Sequence, residues 1–264
     1  MTTVKDILDY IYTLAPVSMK MNWDNVGLLC GSSSKEVHTV LVALDPFESV
    51  AQEASKIGAD LLVTHHPLIF QPVKAIPDDD GVGRAIMYLI RNDICAINAH
   101  TNLDCAPGGV NDTLALTLGL QDVQVVCPSG VDEQGRSWGL LRQGTVDSQS
   151  LEQFLKTVKT ALGCQGLKYA DGGKPVHKVA VGGGSCGSGL MDAYSAGCDT
   201  FVTADVKYNQ FWEAKELGMT IIDAGHFHTE NPVCGVLAEK LQGAFPEVKV
   251  ILCQNHTDCA NFFC

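Results

Sequence analysis

Eight histidines are spread over 264 residues, and five of them fall in three short stretches. The first stretch is Leu61-Leu62-Val63-Thr64-His65-His66-Pro67-Leu68, where an apolar, strand-like run ends in two adjacent histidines. Pro67 cannot donate to a continuing ladder, so the strand stops there. Neighbours on a pleated strand point to opposite faces; at a strand end, where the chain leaves the pleat, both rings can face one place. A bare His-His pair is more simply one core and one surface histidine, but two further stretches repeat the pattern. Ile94-Cys95-Ala96-Ile97-Asn98-Ala99 empties into His100 and, four residues on, Asp104. Met219-Thr220-Ile221-Ile222-Asp223 empties into Gly225, His226, His228 and Glu230. If a helix starts near Gly225, His226 and Glu230 lie at i and i+4 on one face and can share a metal. Imidazole and carboxylate donors suit zinc, manganese, iron, nickel or cobalt rather than calcium, and the lack of thiolates argues against a structural zinc knot. The pattern predicts a divalent metal site.

The elements that must position these residues alternate. Residues 37–45 read as a strand, 48–57 as a helix ending at Gly58, and 59–64 as the strand that reaches His65. A helix over 84–92 then precedes the strand over 94–99. The second half repeats the order: strand 176–181, helix-compatible 187–196, strand 197–205, a short helix over 213–218 and strand 219–223. Gly197-Cys198-Asp199-Thr200 mirrors Gly58-Ala59-Asp60-Leu61. This predicts an α/β fold of duplicated βαβαβ units with mainly parallel sheets and right-handed crossovers. Outside the repeats, Thr3 caps a first amphipathic helix, 148–162 reads as a helix ended by Gly163, and 127–136 reads as a connector. The boundaries expected are a first domain over 1–127, joined by 232–264, and a second over 128–231.

Composition narrows the function. A formal net charge of −12 disfavours nucleic-acid binding, which needs a basic surface. No apolar run approaches a membrane span, and the first ten residues, with Lys5, Asp6 and Asp9, do not read as a signal peptide. Eleven cysteines without a CxxC pair, mostly in apolar runs, read as a reduced, cytoplasmic protein. Gly182, Gly184 and Gly187 match G-x-G-x-x-G after a strand, with Asp205 downstream. A tight turn ranks first for that loop, a cradle for a substrate anion second and a dinucleotide site third. Trp23 reads as a packed loop anchor before an exposed lid, and Asp24 and Asn25 as turn residues before contributors to the site.

Thr64-His65-His66-Pro67-Leu68-Ile69-Phe70, Ala99-His100-Thr101-Asn102-Leu103-Asp104 and Asp223-Ala224-Gly225-His226-Phe227-His228-Thr229-Glu230, with Trp23-Asp24-Asn25 and Gly27, resemble the Nif-three-like family. Its members carry the name GTP cyclohydrolase 1 type 2 or homologue. The resemblance covers nearly the whole chain and implies two interlocked α/β domains, two divalent metal ions per chain and a toroidal homohexamer. Carried over by position, the metal ligands would be His65, His66, Asp104, His226 and Glu230, with His100 lining the site and His228 outside the ligand set. The implied activity is hydrolytic opening of a purine nucleotide ring by metal-activated water, with His100 or Glu230 moving the proton and lysines such as Lys174 or Lys207 offsetting the substrate's charge. The alternative is a non-catalytic metal-binding chaperone or regulatory scaffold using the same ligands.

Overall fold

The computed structural model describes residues 1–263. The chain forms two compact units, Met1–Leu103 with Cys234–Thr257, and Asp104–Val233 with the segment from Asp258 onward. The division at Leu103/Asp104 lies upstream of the 127/128 boundary expected from the sequence. Residues between those points build helix and strand onto the second sheet, which is why they belong to the second unit.

In the first unit, α1 (Val4–Leu14) starts at a capping box in which Thr3 and Asp6 satisfy each other's backbone N–H groups. Strand β1 (Gly27–Cys30) precedes the first βαβαβ run: β2 (Thr39–Ala43), α2 (Glu48–Lys56), β3 (Leu61–Thr64), α3 (Gly81–Arg91) and β4 (Cys95–Asn98). β2, β3 and β4 are parallel neighbours and β1 lies antiparallel beside β4. Side chains alternate across the sheet, so Leu41, Ala43, Leu62 and Ala96 share one core with Val50, Ala54, Ala85 and Leu89 of the crossover helices. β3 and β4 are buried along their whole length, as strands covered on both faces must be.

A single helical turn, α4 (Thr101–Cys105), leads into the second unit. There α5 (Val110–Thr117) and β5 (Gln121–Val126) precede a small hairpin, β6 (Gly130–Val131) with β7 (Ser137–Trp138), and the long β8 (Leu141–Gln149). Helix α6 (Leu151–Leu162) begins at a Ser150–Gln153 capping box and ends at Gly163 in the left-handed conformation. After β9 (Lys168–Ala170) comes the second βαβαβ run: β10 (Val176–Val181), α7 (Leu190–Ser195), β11 (Thr200–Thr203), α8 (Tyr208–Glu216) and β12 (Thr220–Asp223). The sheet order is β5-β8-β10-β11-β12-β9; its central three strands are parallel and the outer three antiparallel. The sheet is therefore more mixed than the repeat alone suggests. The short α9 (His226–Glu230) follows β12, and α10 (Pro232–Ala244) and β13 (Lys249–Leu252) return the chain to the first unit. β13 pairs in parallel with β2, completing the order β1-β4-β3-β2-β13.

The duplication extends to a shared device. Asp60, at the start of β3, accepts backbone N–H bonds from His38 and Thr39 at the head of β2. Asp199, at the start of β11, accepts them from His177 and Lys178 at the head of β10. Gly58 and Gly197 supply the left-handed turn before each carboxylate, at φ +67° and +80°. The same Gly-x-Asp thus ties each strand to its predecessor.

Candidate metal centre

Both sheets place their polar residues at strand ends. Thr64, Asn98, Thr203 and Asp223 close β3, β4, β11 and β12, and all four are buried. The chemistry begins one or two residues beyond.

In the first unit, His65, His66 and His100 come together. Their ring centroids lie 4.9, 5.2 and 5.5 Å apart, and their ligand atoms all lie within 4.8 Å of one another. Each ring is oriented through Nδ1. His65 Nδ1 donates to the Ala99 carbonyl at 2.9 Å, His66 Nδ1 to Asp45 Oδ1 at 2.7 Å, and His100 Nδ1 to Asp24 Oδ1 at 2.8 Å. A neutral imidazole that donates from Nδ1 carries its lone pair on Nε2, so the tautomer is set for metal ligation. Asp24 also accepts from the Thr101 backbone at 3.0 Å and from the Thr101 hydroxyl at 2.5 Å. Burial opposes its ionisation, but the bonds from His100 and Thr101 outweigh burial and hold its carboxyl well below the usual range. Asp45 is likewise held low, because hydrogen bonds from His256 and His66 outweigh its burial.

In the second unit, the turn after β12 uses Gly225 at φ +84° to start α9 on His226. His226 Nδ1 lies 2.7 Å from Asp205 Oδ2, and its Nε2 lies 3.0 Å from Glu230 Oε2 one turn later, so the i, i+4 pair shares a face. Glu230 is buried. A Cβ on Gly184 would stand 2.0 Å from Glu230 Oε1 and 3.0 Å from His226 Nε2, and Gly184 has φ +62°. Only glycine fits there. The glycine loop spends its amides internally: Gly182 N–H on Val202, Gly183 N–H on Asn111 Oδ1 at 2.7 Å, and Gly184 N–H on Thr229 Oγ1 at 3.0 Å. That favours the tight-turn reading over an anion cradle or a dinucleotide site.

Asp104 is buried, and its main chain is clamped: Asn111 Nδ2 reaches its carbonyl, while Arg142 Nη2 reaches the next two carbonyls, of Cys105 and Ala106. The neighbouring thiols stay protonated. Cys105 is pushed up to about 12 by burial and by the charge of Asp104. Cys186 is raised well above its ordinary value by burial, then by Asp104 and Glu230. His228 turns elsewhere, its Nδ1 toward the Leu162 carbonyl at 3.1 Å and its Nε2 toward Asp258 at 3.3 Å. It lines a cavity of about 220 Å³ with His226, Phe227, Phe262, Asp205 and Lys168. Lys174 and Lys207, named from the sequence as charge partners, do not line it.

Sequence reasoning missed three carboxylates as orienting groups. Asp24 has the sequence setting of a turn residue, yet it holds His100; Asp45 and Asp205 hold His66 and His226. The available signal was position, since Asp45 and Asp205 each stand two residues past a parallel strand, β2 and β11, at the carboxyl edge where sites are built.

Groups of histidine and carboxylate side chains that could hold a metal ion are therefore present. Among known proteins, the profile of the family described as Duf34/NIF3 (NGG1p interacting factor 3) matches residues 2–259. A Clostridium perfringens protein named GTP cyclohydrolase 1 type 2 homolog is 38% identical over 243 residues, covering 90% of this chain and 91% of the relative. A Clostridium acetobutylicum protein of the same name is 32% identical over 98% of both chains. The crystal structure of a Bacillus cereus protein related to NIF3 superposes with a TM-score of 0.93 at 27% identity, covering 100% of this chain and 99% of that one. With a family match over nearly its whole length and relatives of this similarity, the chain belongs to the Duf34/NIF3 family.

Proposed function

We propose that His65, His66, Asp104, His226 and Glu230 hold two divalent metal ions, and that the chain is a metal-dependent hydrolase opening the ring of a purine nucleotide. The observation that carries the metal reading is the common orientation of four imidazoles. His65, His66, His100 and His226 each engage an oxygen through Nδ1, which turns Nε2 into the ligating or proton-carrying nitrogen. The donor set fits a transition metal, with hard carboxylate and borderline imidazole ligands and nearby thiols that burial keeps protonated. When bound, the ions would supply Lewis-acid polarisation and a lowered pKa for water.

The protein's own residues would do the rest. His100, held by Asp24 at Nδ1, presents Nε2 as the nitrogen that would take or deliver a proton. Glu230, fixed by its packing against the glycine loop, is the second candidate for proton transfer. The names of the relatives support a purine nucleotide as substrate. The same reading takes the protein to be a cytoplasmic, ring-shaped homohexamer with a small-molecule substrate and no nucleic-acid partner.

The test is GTP turnover by metal-loaded protein, wild type against His100→Ala. Loss of His100 as the proton carrier is expected to lower the rate about 10²–10⁴-fold while metal content stays the same. Equal rates in both proteins would remove His100 from the mechanism, and no turnover in metal-loaded wild type would contradict the GTP assignment.

A further inference from the structure

The loop before β1 carries a feature that metal binding does not use. Trp23 is 63% exposed and Phe70 47% exposed, although both are large apolar rings that normally bury most of their surface. They stand edge to face, with centroids 5.7 Å apart at 68°. Each also faces His100, Trp23 at 6.2 Å and Phe70 at 6.1 Å. A loose loop tip would leave such rings free to move, but here the backbone is locked on both sides. Asp24 is fixed by His100 and Thr101, and Lys20 Nζ holds the Asp24 carbonyl at 2.8 Å. Asn25 Nδ2 reaches the carbonyl of Ile69, the residue before Phe70, at 2.7 Å, and Asn98 Nδ2 reaches the Asn25 carbonyl at 3.1 Å. The hydrogen bonds thus tie Trp23 and Phe70 to each other and to the histidine set, while the rings stay in water. A ring held rigid and wet beside a reactive imidazole is preorganised for a partner.

We propose that Trp23 and Phe70 form a stacking platform for the planar, uncharged ring of a small-molecule substrate, of the nucleobase type, presenting it to His100. A second copy of the chain is the competing occupant, and it differs from a small planar ring in changing the mass of the assembly when the pair is removed. The proposal deepens the hydrolase reading by assigning the ring's subsite and takes its place beside the metal ligands from that reading.

The experiment measures guanosine binding by equilibrium dialysis to the full chain, with and without metal, for wild type, Trp23→Ala, Phe70→Ala and Trp23→Phe. Guanosine carries no phosphate, so it reports on the ring alone. Base stacking on one aromatic side chain predicts about tenfold weaker binding in each alanine variant and most of the affinity retained in Trp23→Phe. Metal content and sedimentation mass should not change. Affinity equal to wild type in both alanine variants, or no guanosine binding by wild type, overturns the platform. A change in mass on Trp23→Ala assigns the pair to a subunit contact and overturns it as well. Absence of metal from wild type would instead defeat the metal reading, leaving the ring measurement to be judged on the apoprotein.

Discussion

The orientation of each imidazole depends on one oxygen, and at His226 that oxygen belongs to an exposed residue. Asp205 is half in solvent, sits at φ +51° and holds His226 Nδ1 at 2.7 Å. Asparagine tolerates the left-handed conformation, so Asp205→Asn preserves the backbone while removing the charge that favours the correct tautomer. Metal affinity is expected to fall about 10–100-fold with the fold intact, measured by competition with a chromogenic chelator. Undiminished affinity would show that Asp205 does not orient the ligand. The histidines were legible in the sequence because the type is scarce and each follows an apolar run. The carboxylates were not, because 30 Asp and Glu residues offer too many candidates and side-chain partners are set by the fold. Asp24 shows the limit: beside Asn25 and near Gly27 it resembles a turn residue, and it does accept its own neighbour's N–H at 2.8 Å, yet the same carboxylate also orients His100.

Short strands buried on both faces fix where their last residues go, so the elements carry much of the site's precision. β2, β3 and β4, and likewise β10, β11 and β12, were legible because buried parallel strands are unbroken apolar runs, and the Gly-x-Asp device repeats at matching positions. β5 was not foreseen, because Gln121, Asp122 and Gln124 give it the polar composition of an outer strand. Helix α10 was also missed: Pro232 reads as a breaker but occupies the first helical position, where its missing N–H costs nothing. Glu53 on α2 fastens the chain after β13. Its buried carboxylate accepts the N–H groups of Gln254 at 2.9 Å and Asn255 at 3.0 Å, and the Cys253 thiol at 3.1 Å. Burial alone would raise its pKa, but these bonds prevail and lower it. A lowered folded-state pKa means stability that is complete above the unfolded value and lost as pH falls through the folded one. Glu53→Gln is therefore expected to cost about 1–3 kcal/mol at pH 7, with the deficit shrinking below about pH 4. Denaturant unfolding across pH checks this, and a deficit that does not change with pH would mean the charge is irrelevant.

Across the whole molecule, the sequence already carried the duplication, the α/β class and the family. It did not carry the division of the chain. Residues 104–127 follow the first repeat without a break, and only their packing on the second sheet assigns them to the second unit. Arg142 shows why: buried within that unit, it binds Asp112 at 2.5 Å and the carbonyls that follow Asp104, so this segment and β8 are one structure. Among the described residues no helix is long and apolar enough to cross a membrane. The ten cysteines of the described residues are free thiols, with Cys105, Cys164, Cys186, Cys198 and Cys253 shifted toward the protonated form, chiefly by burial. The central claim is that one ligand set, drawn from residues far apart in sequence, binds a pair of metals. Elemental mass spectrometry of the purified, metal-reconstituted full chain tests it most directly, with His65→Ala and Glu230→Ala beside wild type. The account predicts two divalent ions per wild-type chain and fewer in each variant, with circular dichroism unchanged. No bound metal in wild type, or wild-type stoichiometry in both variants, would contradict it.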